Sequence, residues 1–486
     1  MTYTPAKADQ FIRENKHLLR SEYRLNYHLM SEFGWMNDPN GFIQYKGEYH
    51  LFYQHYPYRP EWGPMHWGHA VSRDLIKWNY LPVALAPDKP FDRDGCFSGS
   101  AIEKDGALYL MYTGHIVTGP DPKNDYYQIQ NLAVSEDGVR FHKVDDNPVI
   151  GLSHIPPGAS RKDFRDPKVF RRDGRYYAVL GSNDGQGNGQ ILLYRSEDLI
   201  RWAFVCVMAK SDGNMGDNWE CPDFFELDGL DVLMFSPQRM PPQGRDYRNL
   251  HSTVYMWGRW NAVDETFQAE GYAPMDQGFD FYAPQTTLDD QGRRIVVAWM
   301  DTWETEIPTQ NGHYWAGALT LPREMVRKEG KVLFKPVQEI ERYRGELFQI
   351  RDLILDGETE LAAGGDSYEL EAVFEARDAE RFGLKLRVGE NEQTVLSYST
   401  GDGVFCLDRN HSGIGPKGVR ETEVPLCDGK LLLRAFVDRS SVEVFLQDGE
   451  KVMTARIYPG ERSLGIRAFA EGRCSLASLK KWDLRI

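Results

Sequence analysis

Three carboxylates recur at matching places in a repeated pattern of the chain. Asp38, Asp166 and Glu220 each lie eight or nine residues before the glycine of a predicted hairpin turn, at the start of an apolar run. The turn glycines that follow them are Gly47, Gly174 and Gly229. A pair of carboxyl groups that flanks a bond is the usual apparatus of glycoside hydrolysis. The spacing therefore favours a hydrolytic site to which three separate repeats contribute one acid each.

The local sequence predicts different protonation states for the three acids. Apolar residues surround Glu220 in segment 218–225, and an apolar setting raises the pKa of a carboxyl, as a general acid requires. Asp38 lies among asparagine and glycine residues whose amides stabilise an anion, so we expect it to stay ionised and serve as a nucleophile. Asp166 lies between Arg165 and Lys168. We expect Asp166 to stay anionic and to accept hydrogen bonds from sugar hydroxyls.

Aromatic and polar side chains near the acids are suited to hold a sugar ring. The matching positions of the two repeats without an acid hold Phe97, Ser98 and Tyr282, which are suited to line a pocket. Ligand pockets combine apolar walls with a few placed polar groups. The candidate walls are Trp35, Trp62, Trp67 and Tyr282. The candidate hydroxyl partners are Asn37, Gln54 and Ser98.

The elements that position these residues are five copies of one hairpin pattern. Each copy is an apolar run, a glycine-containing turn and a second apolar run, which is typical of two short antiparallel strands. The copies are Asn37–Gln54, Ser98–Gly114, Arg165–Gly181, Cys221–Pro237 and Ala283–Met300. A weaker element lies between copies, at Ser72–Trp78, Ser135–Phe141 and Ser196–Trp202. Together they predict an all-β fold that begins with a five-bladed β-propeller of four-stranded blades.

The chain is long enough for two domains, and its pattern changes after the repeats. Residues 1–26 are predicted to be an N-terminal extension with a short helix, and residues 27–334 the propeller. Residues 335–350 are predicted to be a linker. Residues 351–486 show plain strand alternation, as in Ser367–Ala376 and Leu431–Gly449, which favours a β-sandwich.

Composition excludes several classes of protein. The formal net charge of −15 argues against nucleic-acid binding, which needs a basic surface. No segment approaches the roughly 20 apolar residues of a membrane helix, and the N-terminus lacks the apolar core of a signal peptide. The 6 cysteines are scattered and form no C-x-x-C pair. They are predicted to be buried thiols of a cytoplasmic protein.

One spacing raises the question of a metal site. His66 and His69 have H-x-x-H spacing but no obvious third ligand. We expect them to form hydrogen bonds near the rim of the pocket. The sequence therefore predicts neither a metal nor a cofactor.

Three motifs around the acids resemble one enzyme family. WMNDPNG (35–41), FRDPK (164–168) and WECPDFF (219–225) are similar to the hallmark motifs of glycoside hydrolase family 32, the invertases and other β-fructofuranosidases. The resemblance implies that Asp38 is the nucleophile, Asp166 the transition-state stabiliser and Glu220 the acid/base of a retaining hydrolase without a metal. It implies that a fructose pocket is lined by Asn37, Gln54, Trp62, Phe97, Ser98, Arg165 and Tyr282.

The implied function is hydrolysis of a small sugar, sucrose or sucrose 6-phosphate, with release of the fructosyl unit. The sequence leaves the choice between the two sugars open, as it does that between monomer and homo-oligomer. A fructosyltransferase or another five-bladed furanosidase would share the three acids. A sugar-binding propeller without catalysis is the alternative from a different class, and the intact acid motifs argue against it. We expect neither a nucleic acid nor a membrane as partner.

Overall fold

The computed structural model describes residues 3–486, and their strands form five small sheets and one large sheet. Blade 1 contains β1 (Gly34–Tyr45), β2 (Glu48–Tyr56), β3 (His66–Ser72) and β4 (Asn79–Leu85). Blade 2 contains β5 (Gly95–Lys104), β6 (Ala107–Val117), β7 (Tyr126–Ser135) and β8 (His142–Lys143). Blade 3 contains β9 (Phe164–Arg172), β10 (Arg175–Asn183), β11 (Gly189–Ser196) and β12 (Trp202–Lys210). Each blade is an antiparallel meander.

The remaining two blades complete the ring. Blade 4 contains β13 (Asn218–Leu227), β14 (Leu230–Gln238), β15 (Val254–Asn261) and β16 (Thr266–Pro274). Blade 5 contains β17 (Tyr282–Leu288), β18 (Arg294–Trp299), β20 (Arg323–Lys328) and β21 (Lys331–Pro336). The short strand β19 (Trp315–Ala316) leaves blade 5 and pairs in parallel with β1, which ties the last blade to the first. The inner strands contact one another in the order β1, β5, β9, β13, β17 and back to β1. The five-bladed propeller predicted from the repeats is confirmed.

The weaker repeated element forms the turn between the third and fourth strands of a blade. In blade 2, Asp137 Oδ1 accepts hydrogen bonds from the hydroxyl of Ser135 and from the backbone N–H groups of Val139 and Arg140, all at 2.8 Å. Asp74 and Asp198 make the same set of contacts in blades 1 and 3. Aspartate is favoured in such turns because its short side chain satisfies the free N–H groups of the chain that follows.

The second domain is a β-sandwich, as the alternating pattern predicted. Its strands are β22 (Arg344–Gly364), β23 (Ser367–Glu375), β24 (Arg381–Val388), β25 (Gln393–Ser399), β26 (Val404–His411), β27 (Val419–Glu423), β28 (Lys430–Asp438), β29 (Ser441–Leu446), β30 (Lys451–Arg456) and β31 (Gly465–Leu484). The long strands β22 and β31 pair along their whole length and continue from one half of the sheet into the other. The two halves enclose an apolar core that includes Leu370, Phe382 and Leu433.

The segment between the domains is short. Strand β21 ends at Pro336, a 3-10 helix covers Gln338–Tyr343, and β22 begins at Arg344. The last residues of the predicted linker, 344–350, therefore belong to a strand of the sandwich. Other 3-10 helices lie at Lys16–Leu18, Leu152–His154, Pro308–Gln310 and Gln447–Gly449.

Buried charges join the two domains. His28 of the propeller domain contacts Asp438 and Glu443 of the sandwich, each at 2.8 Å, and all three side chains are fully buried. Burial alone lowers the pKa of His28, but the hydrogen bonds to the two carboxylates outweigh burial and raise the pKa to about 9. Arg323 also bonds to Glu443, at 2.6 Å. The interface is thus an ion-pair network as well as an apolar contact.

The N-terminal extension packs on blade 1. Helix α1 (Pro5–Asn15) buries Ala8 and Ile12 against Phe33 and Val83, at the outer strand of the blade. The first two residues of the predicted extension lie outside the described residues. Within the described chain no helix has the length and apolar character needed to cross a membrane.

The cysteines are free thiols in the described structure, but they differ in exposure. Cys96, Cys221 and Cys474 are buried, while Cys206 and Cys406 are partly buried. Cys427 is exposed, so the prediction of buried thiols is wrong for this residue.

Removal of a turn carboxylate tests the role of the repeated turns. We expect Asp137→Ala to lower the free energy of unfolding by about 1 kcal/mol, because two backbone N–H groups and one hydroxyl lose their acceptor. The same contacts lower the pKa of Asp137 to about 2. Its ionised form therefore stabilises the fold above pH 4, and this stabilisation disappears as the pH falls toward 2.

Urea denaturation of Asp137→Ala and of the exposed neighbour Glu136→Ala provides the measurement, since both variants lose one negative charge. Equal stability losses in the two variants would contradict the role of the turn.

Candidate active site

The inner strand of every blade has a β-bulge at the same height of the channel. In β9, Asp166 and Pro167 lie opposite the single residue Leu180, and in β1, Asn37 and Asp38 lie opposite Gln54. Register shifts occur at the matching places of the other inner strands, beside Phe97, Glu220 and Tyr282. A bulge bends its strand and redirects side chains. The bulges therefore turn the side chains of five blades toward one mouth of the channel.

The cavity at this mouth has a volume of about 650 Å³. Its lining contains ten of the twelve site residues predicted from the sequence. They are Asn37, Asp38, Gln54, Trp62, Phe97, Ser98, Arg165, Asp166, Glu220 and Tyr282. Of the other two, Trp35 lies behind the wall and donates a 2.7 Å hydrogen bond from its indole to Asn37. The three acids of separate blades are thus brought together in one pocket.

Asp38 is partly exposed to the cavity and surrounded by hydrogen-bond donors. The hydroxyl of Ser98 donates to its Oδ2 at 2.8 Å, and the amide of Asn37 donates to its Oδ1 at 3.1 Å. The thiol of Cys221 lies 3.6 Å from Oδ2. Burial, followed by the charge of Glu220, raises the pKa of Asp38 to about 6, although these donors lower it.

Asp166 adopts a left-handed backbone conformation, with φ of 63°. Its Oδ2 accepts a hydrogen bond from the backbone N–H of Cys221 at 3.0 Å and lies 3.5 Å from the same residue's thiol. Burial raises the pKa of Asp166, and the charges of Glu220 and Asp38 add to the effect. Arg165, at 4.0 Å, opposes it, and the resulting pKa is about 7. Cys221 therefore joins the two aspartates.

Glu220 is paired with the guanidinium of Arg165. Arg165 donates from Nε at 3.0 Å and from Nη2 at 2.9 Å to Oε1 of Glu220, and the hydroxyl of Tyr282 donates to Oε2. Burial raises the pKa of Glu220, but the charge of Arg165 and the Tyr282 hydrogen bond outweigh burial and lower the pKa below its usual value. The other end of Arg165 bonds to Asp163 at 2.7 Å and to Gln128 at 3.1 Å.

The raised pKa predicted for Glu220 is therefore wrong for the free pocket, where its pKa is lowered, and the pKa values of the two aspartates shift upward. The prediction used sequence neighbours, but neighbours along a strand point to opposite faces of the sheet. Trp219 lies in an apolar core with Phe235, whereas the carboxyl of Glu220 faces Arg165. Of the three acids, Asp38 and Asp166 have raised pKa values, about 6 and about 7, and the pKa of Glu220 is lowered.

Two further predictions are also wrong in detail. Trp67 is not a wall of the cavity, because it is fully buried and its indole donates to the carbonyl of Phe97. His66 and His69 are buried between strands rather than at the rim. Burial lowers the pKa of His66 to about 3, so its ring is neutral. His69 contacts His50 at 3.0 Å.

Several residues of the cavity were not identified from the sequence. They are Asp94, His115, Lys123, Tyr126, Gln128, Gln238, His251 and Trp303. Most lie on second or third strands or on loops, where the repeat pattern has no motif. His115 could have been identified from the sequence, because it directly follows the second apolar run of the second repeat. Its ring stacks on Phe97 at 4.4 Å between centroids.

Comparison with known proteins agrees with this geometry. Residues 28–336 match the N-terminal domain of glycosyl hydrolases family 32, and residues 339–483 match the C-terminal domain of that family. A sucrose-6-phosphate hydrolase of Zymomonas mobilis is 41% identical over 97% of this chain and 94% of its own. A raffinose invertase of Escherichia coli is 42% identical, with 94% of each chain covered.

A solved structure shows the same architecture over both domains. The family 32 β-fructofuranosidase of Bombyx mori superposes with a TM-score of 0.88 at 35% identity, covering 99% of this chain and 98% of that one. Carboxyl groups that meet at one mouth of the propeller are the arrangement that glycoside hydrolysis uses. The chain belongs to glycoside hydrolase family 32.

The raised pKa of Asp166 has a consequence for stability. The folded state binds the Asp166 proton more tightly than the unfolded chain, so this contribution is complete below about pH 4 and is lost as the pH rises through 7. Asparagine never ionises and does not suffer that loss. We expect Asp166→Asn to be more stable than the natural protein at pH 8, by about 1–3 kcal/mol, with the difference shrinking toward pH 4.

Asp163→Asn is the matched control, and it should change the stability at pH 8 in the opposite direction. The pKa of Asp163 is lowered: burial raises it, but Arg165 outweighs burial. Its ionised form therefore stabilises the fold, and loss of that charge should reduce stability at pH 8. Urea titrations of both variants at pH 4, 6 and 8 make the measurement. An Asp166→Asn variant less stable than the natural protein at pH 8 would refute the pKa assignment.

Proposed function

We propose that this protein hydrolyses the β-fructofuranosidic bond of sucrose and releases fructose with retention of configuration. The observation that carries the proposal is the meeting of Asp38 and Glu220 in one buried pocket, together with donors suited to sugar hydroxyls. Similarity supports the substrate, because the relatives are named sucrose-6-phosphate hydrolase and raffinose invertase. A variant of the Bombyx mori enzyme has been solved in complex with sucrose.

In the proposed first step, a carboxylate oxygen of Asp38 attacks the anomeric carbon of the fructosyl unit. The bond from that carbon to the glucosyl oxygen breaks, and Glu220 gives its proton to this oxygen, so that neutral glucose leaves. In the second step water attacks the same carbon and Glu220 takes a proton from it. Asp38 is released as a carboxylate, and two inversions give net retention. Asp166 accepts hydrogen bonds from fructosyl hydroxyls in both steps.

Glu220 needs a proton for the first step, and its pKa is lowered in the free pocket. Near neutral pH the aspartates have the raised pKa values, while Arg165 keeps Glu220 ionised. A bound sugar displaces water from the pocket, and its hydroxyls replace some of the contacts between Arg165 and the acids. The pKa of Glu220 then rises, and Glu220 takes up the proton that it gives to the glucosyl oxygen.

Substitution of the two reacting acids tests these roles. We expect Glu220→Gln to lower kcat on sucrose by about 10²–10⁴-fold, which is the usual effect of a lost general acid. Asp38→Asn should lower kcat at least as much, because no covalent intermediate forms. Asp137→Ala, a surface-turn variant, serves as the control with unchanged turnover. Near-natural kcat in either acid variant would remove that residue from the mechanism.

Retention has its own readout in the same assays. With methanol as a competing acceptor, early products examined by NMR should contain methyl β-fructofuranoside. The α product would contradict the double displacement. A large transfer yield at low acceptor concentration would favour a fructosyltransferase, and sucrose binding without any turnover would favour a sugar-binding propeller.

The charges around the pocket favour free sucrose over sucrose 6-phosphate. Among the described residues, the carboxylates that line the cavity are Asp38, Asp94, Asp166 and Glu220, and the cations are Lys123 and Arg165. Arg165 already binds Glu220 and Asp163. The cavity therefore has a net negative charge, and among its described lining residues Lys123 is the one cation not already paired with these acids. A phosphate on the glucosyl unit would be repelled by this charge, which opposes binding.

Kinetics with the two sugars test this preference. We expect kcat/KM for sucrose to exceed that for sucrose 6-phosphate by at least about tenfold at low salt, with the gap narrowing as salt screens the charges. Lys123→Ala should lower the rate with sucrose 6-phosphate more than that with sucrose. Lys162→Ala, a lysine outside the lining, is the control. A higher kcat/KM for the phosphorylated sugar would overturn the preference.

A further inference from the structure

A guanidinium of the sandwich domain reaches across the interface to a loop of the active site. Nη2 of Arg456 donates to Oδ1 of Asp301 at 2.7 Å and to the hydroxyl of Thr305 at 2.9 Å. Asp301 and Thr305 lie two residues before and two residues after Trp303. One nitrogen of the second domain therefore bridges both ends of a short loop whose tip is Trp303.

The bridge is part of a buried group of four charges. Asp280 binds Arg456 at 3.0 Å and Arg409 at 2.6 Å, and Asp301 binds Arg456 on the other side. The four side chains are all less than a tenth exposed. Two carboxylates face two guanidinium groups, so the charges balance. A buried pair of this kind is costly to break, since removal of one partner leaves the other without compensation.

The same edge of the sandwich is bonded to the segment that leads into β17. The backbone N–H of Gln277 donates to Val452 at 2.8 Å, and that of Phe279 donates to Thr454 at 2.7 Å. Two residues after Asp280 comes Tyr282, whose hydroxyl donates to Glu220. Strand β30 thus supports two parts of the pocket, the Tyr282 segment and the Trp303 loop.

Trp303 needs such support. Its φ is 66°, a left-handed conformation that is strained for a bulky residue. Its side chain is 40% exposed, lines the cavity and stacks on Trp35 at 5.6 Å between centroids. The indole of Trp35 in turn donates to Asn37, which donates to Asp38. The backbone of Trp303 is strained and its ring is partly exposed at the mouth of the cavity. Contacts at the two ends of the loop therefore hold the ring in place.

We propose that Arg456 is a positioning residue for the sugar-binding pocket, and that it acts by clamping the loop that carries Trp303. The sandwich domain therefore contributes to substrate binding without touching the substrate. This inference rests on the proposed function only in that the cavity lined by Trp303 binds the sugar. The clamp itself is a property of the fold.

The kinetic test compares Arg456→Gln with Arg387→Gln. Arg387 is a buried arginine of the same domain that binds backbone carbonyls, at Ser463 and Arg439, away from the pocket. We expect Arg456→Gln to raise KM for sucrose about tenfold, with a smaller change in kcat, because a displaced wall weakens binding more than chemistry. Arg387→Gln should lower the unfolding temperature but leave both constants unchanged. Thr305→Val, which removes one end of the clamp, should raise KM in the same direction.

A double-mutant cycle with Trp303→Ala tests whether Arg456 changes KM through Trp303. If Arg456 acts through Trp303, the KM change of Arg456→Gln disappears in the Trp303→Ala background. The proposal is overturned if the two effects multiply independently, or if Arg456→Gln leaves KM unchanged. Should Arg456→Gln fail to fold, the cycle of Thr305→Val with Trp303→Ala gives the same decision.

An NMR measurement that does not depend on enzymatic activity tests the clamp separately from the proposed function. In protein labelled with 5-fluorotryptophan, the ¹⁹F signal of Trp303 is assigned by its absence in Trp303→Phe. That signal should shift or broaden in Arg456→Gln and stay unchanged in Arg387→Gln. If the natural protein does not hydrolyse sucrose, the proposed function fails while this result still reports on the clamp. An unchanged signal in Arg456→Gln refutes the clamp whatever the substrate.

Discussion

The pairing of Arg165 with Glu220 is the interaction on which the chemistry of the pocket depends. Three carboxylates line one cavity, and Arg165 is the cation placed among them. Because Arg165 makes two hydrogen bonds to Glu220 and stays 4.0 Å from Asp166, it stabilises the ionised glutamate most. The charge of Glu220 then adds to burial and raises the pKa values of the two aspartates. The free pocket thus disfavours the protonated form of Glu220.

Rigid surroundings make this arrangement possible. Each inner strand carries its functional side chain at a bulge, and each bulge is held by the strands of its own blade and by the inner strands beside it. The ring is closed by β19 against β1 and braced by the sandwich through His28, Arg323 and Arg456. Like charges that lie close together destabilise a fold. The apolar cores of the propeller offset this loss of stability.

Much of this was predictable from the sequence because its causes are local. Hairpin turns with glycine and the recurring serine–aspartate turns depend on a few adjacent residues, so their repetition predicted the five blades. The acids were found because they share a place in that repeat. Trp303 and Gln128 were not predicted, because a loop brings Trp303 to the pocket and the third strand of blade 2 brings Gln128. The protonation of Glu220 was mispredicted because Arg165 comes from another blade, and no sequence neighbour reveals that pairing.

The most direct test of this account is a carboxyl ¹³C NMR titration of the ligand-free protein, with Asp38→Asn, Asp166→Asn and Glu220→Gln used for assignment. The account predicts that two aspartate signals titrate between about pH 6 and 7, near the values of 6 and 7 for Asp38 and Asp166. The Glu220 signal should remain that of a carboxylate throughout this range. The account would be contradicted if the Glu220 signal titrated near neutral pH and both aspartate signals titrated with pKa values below 5.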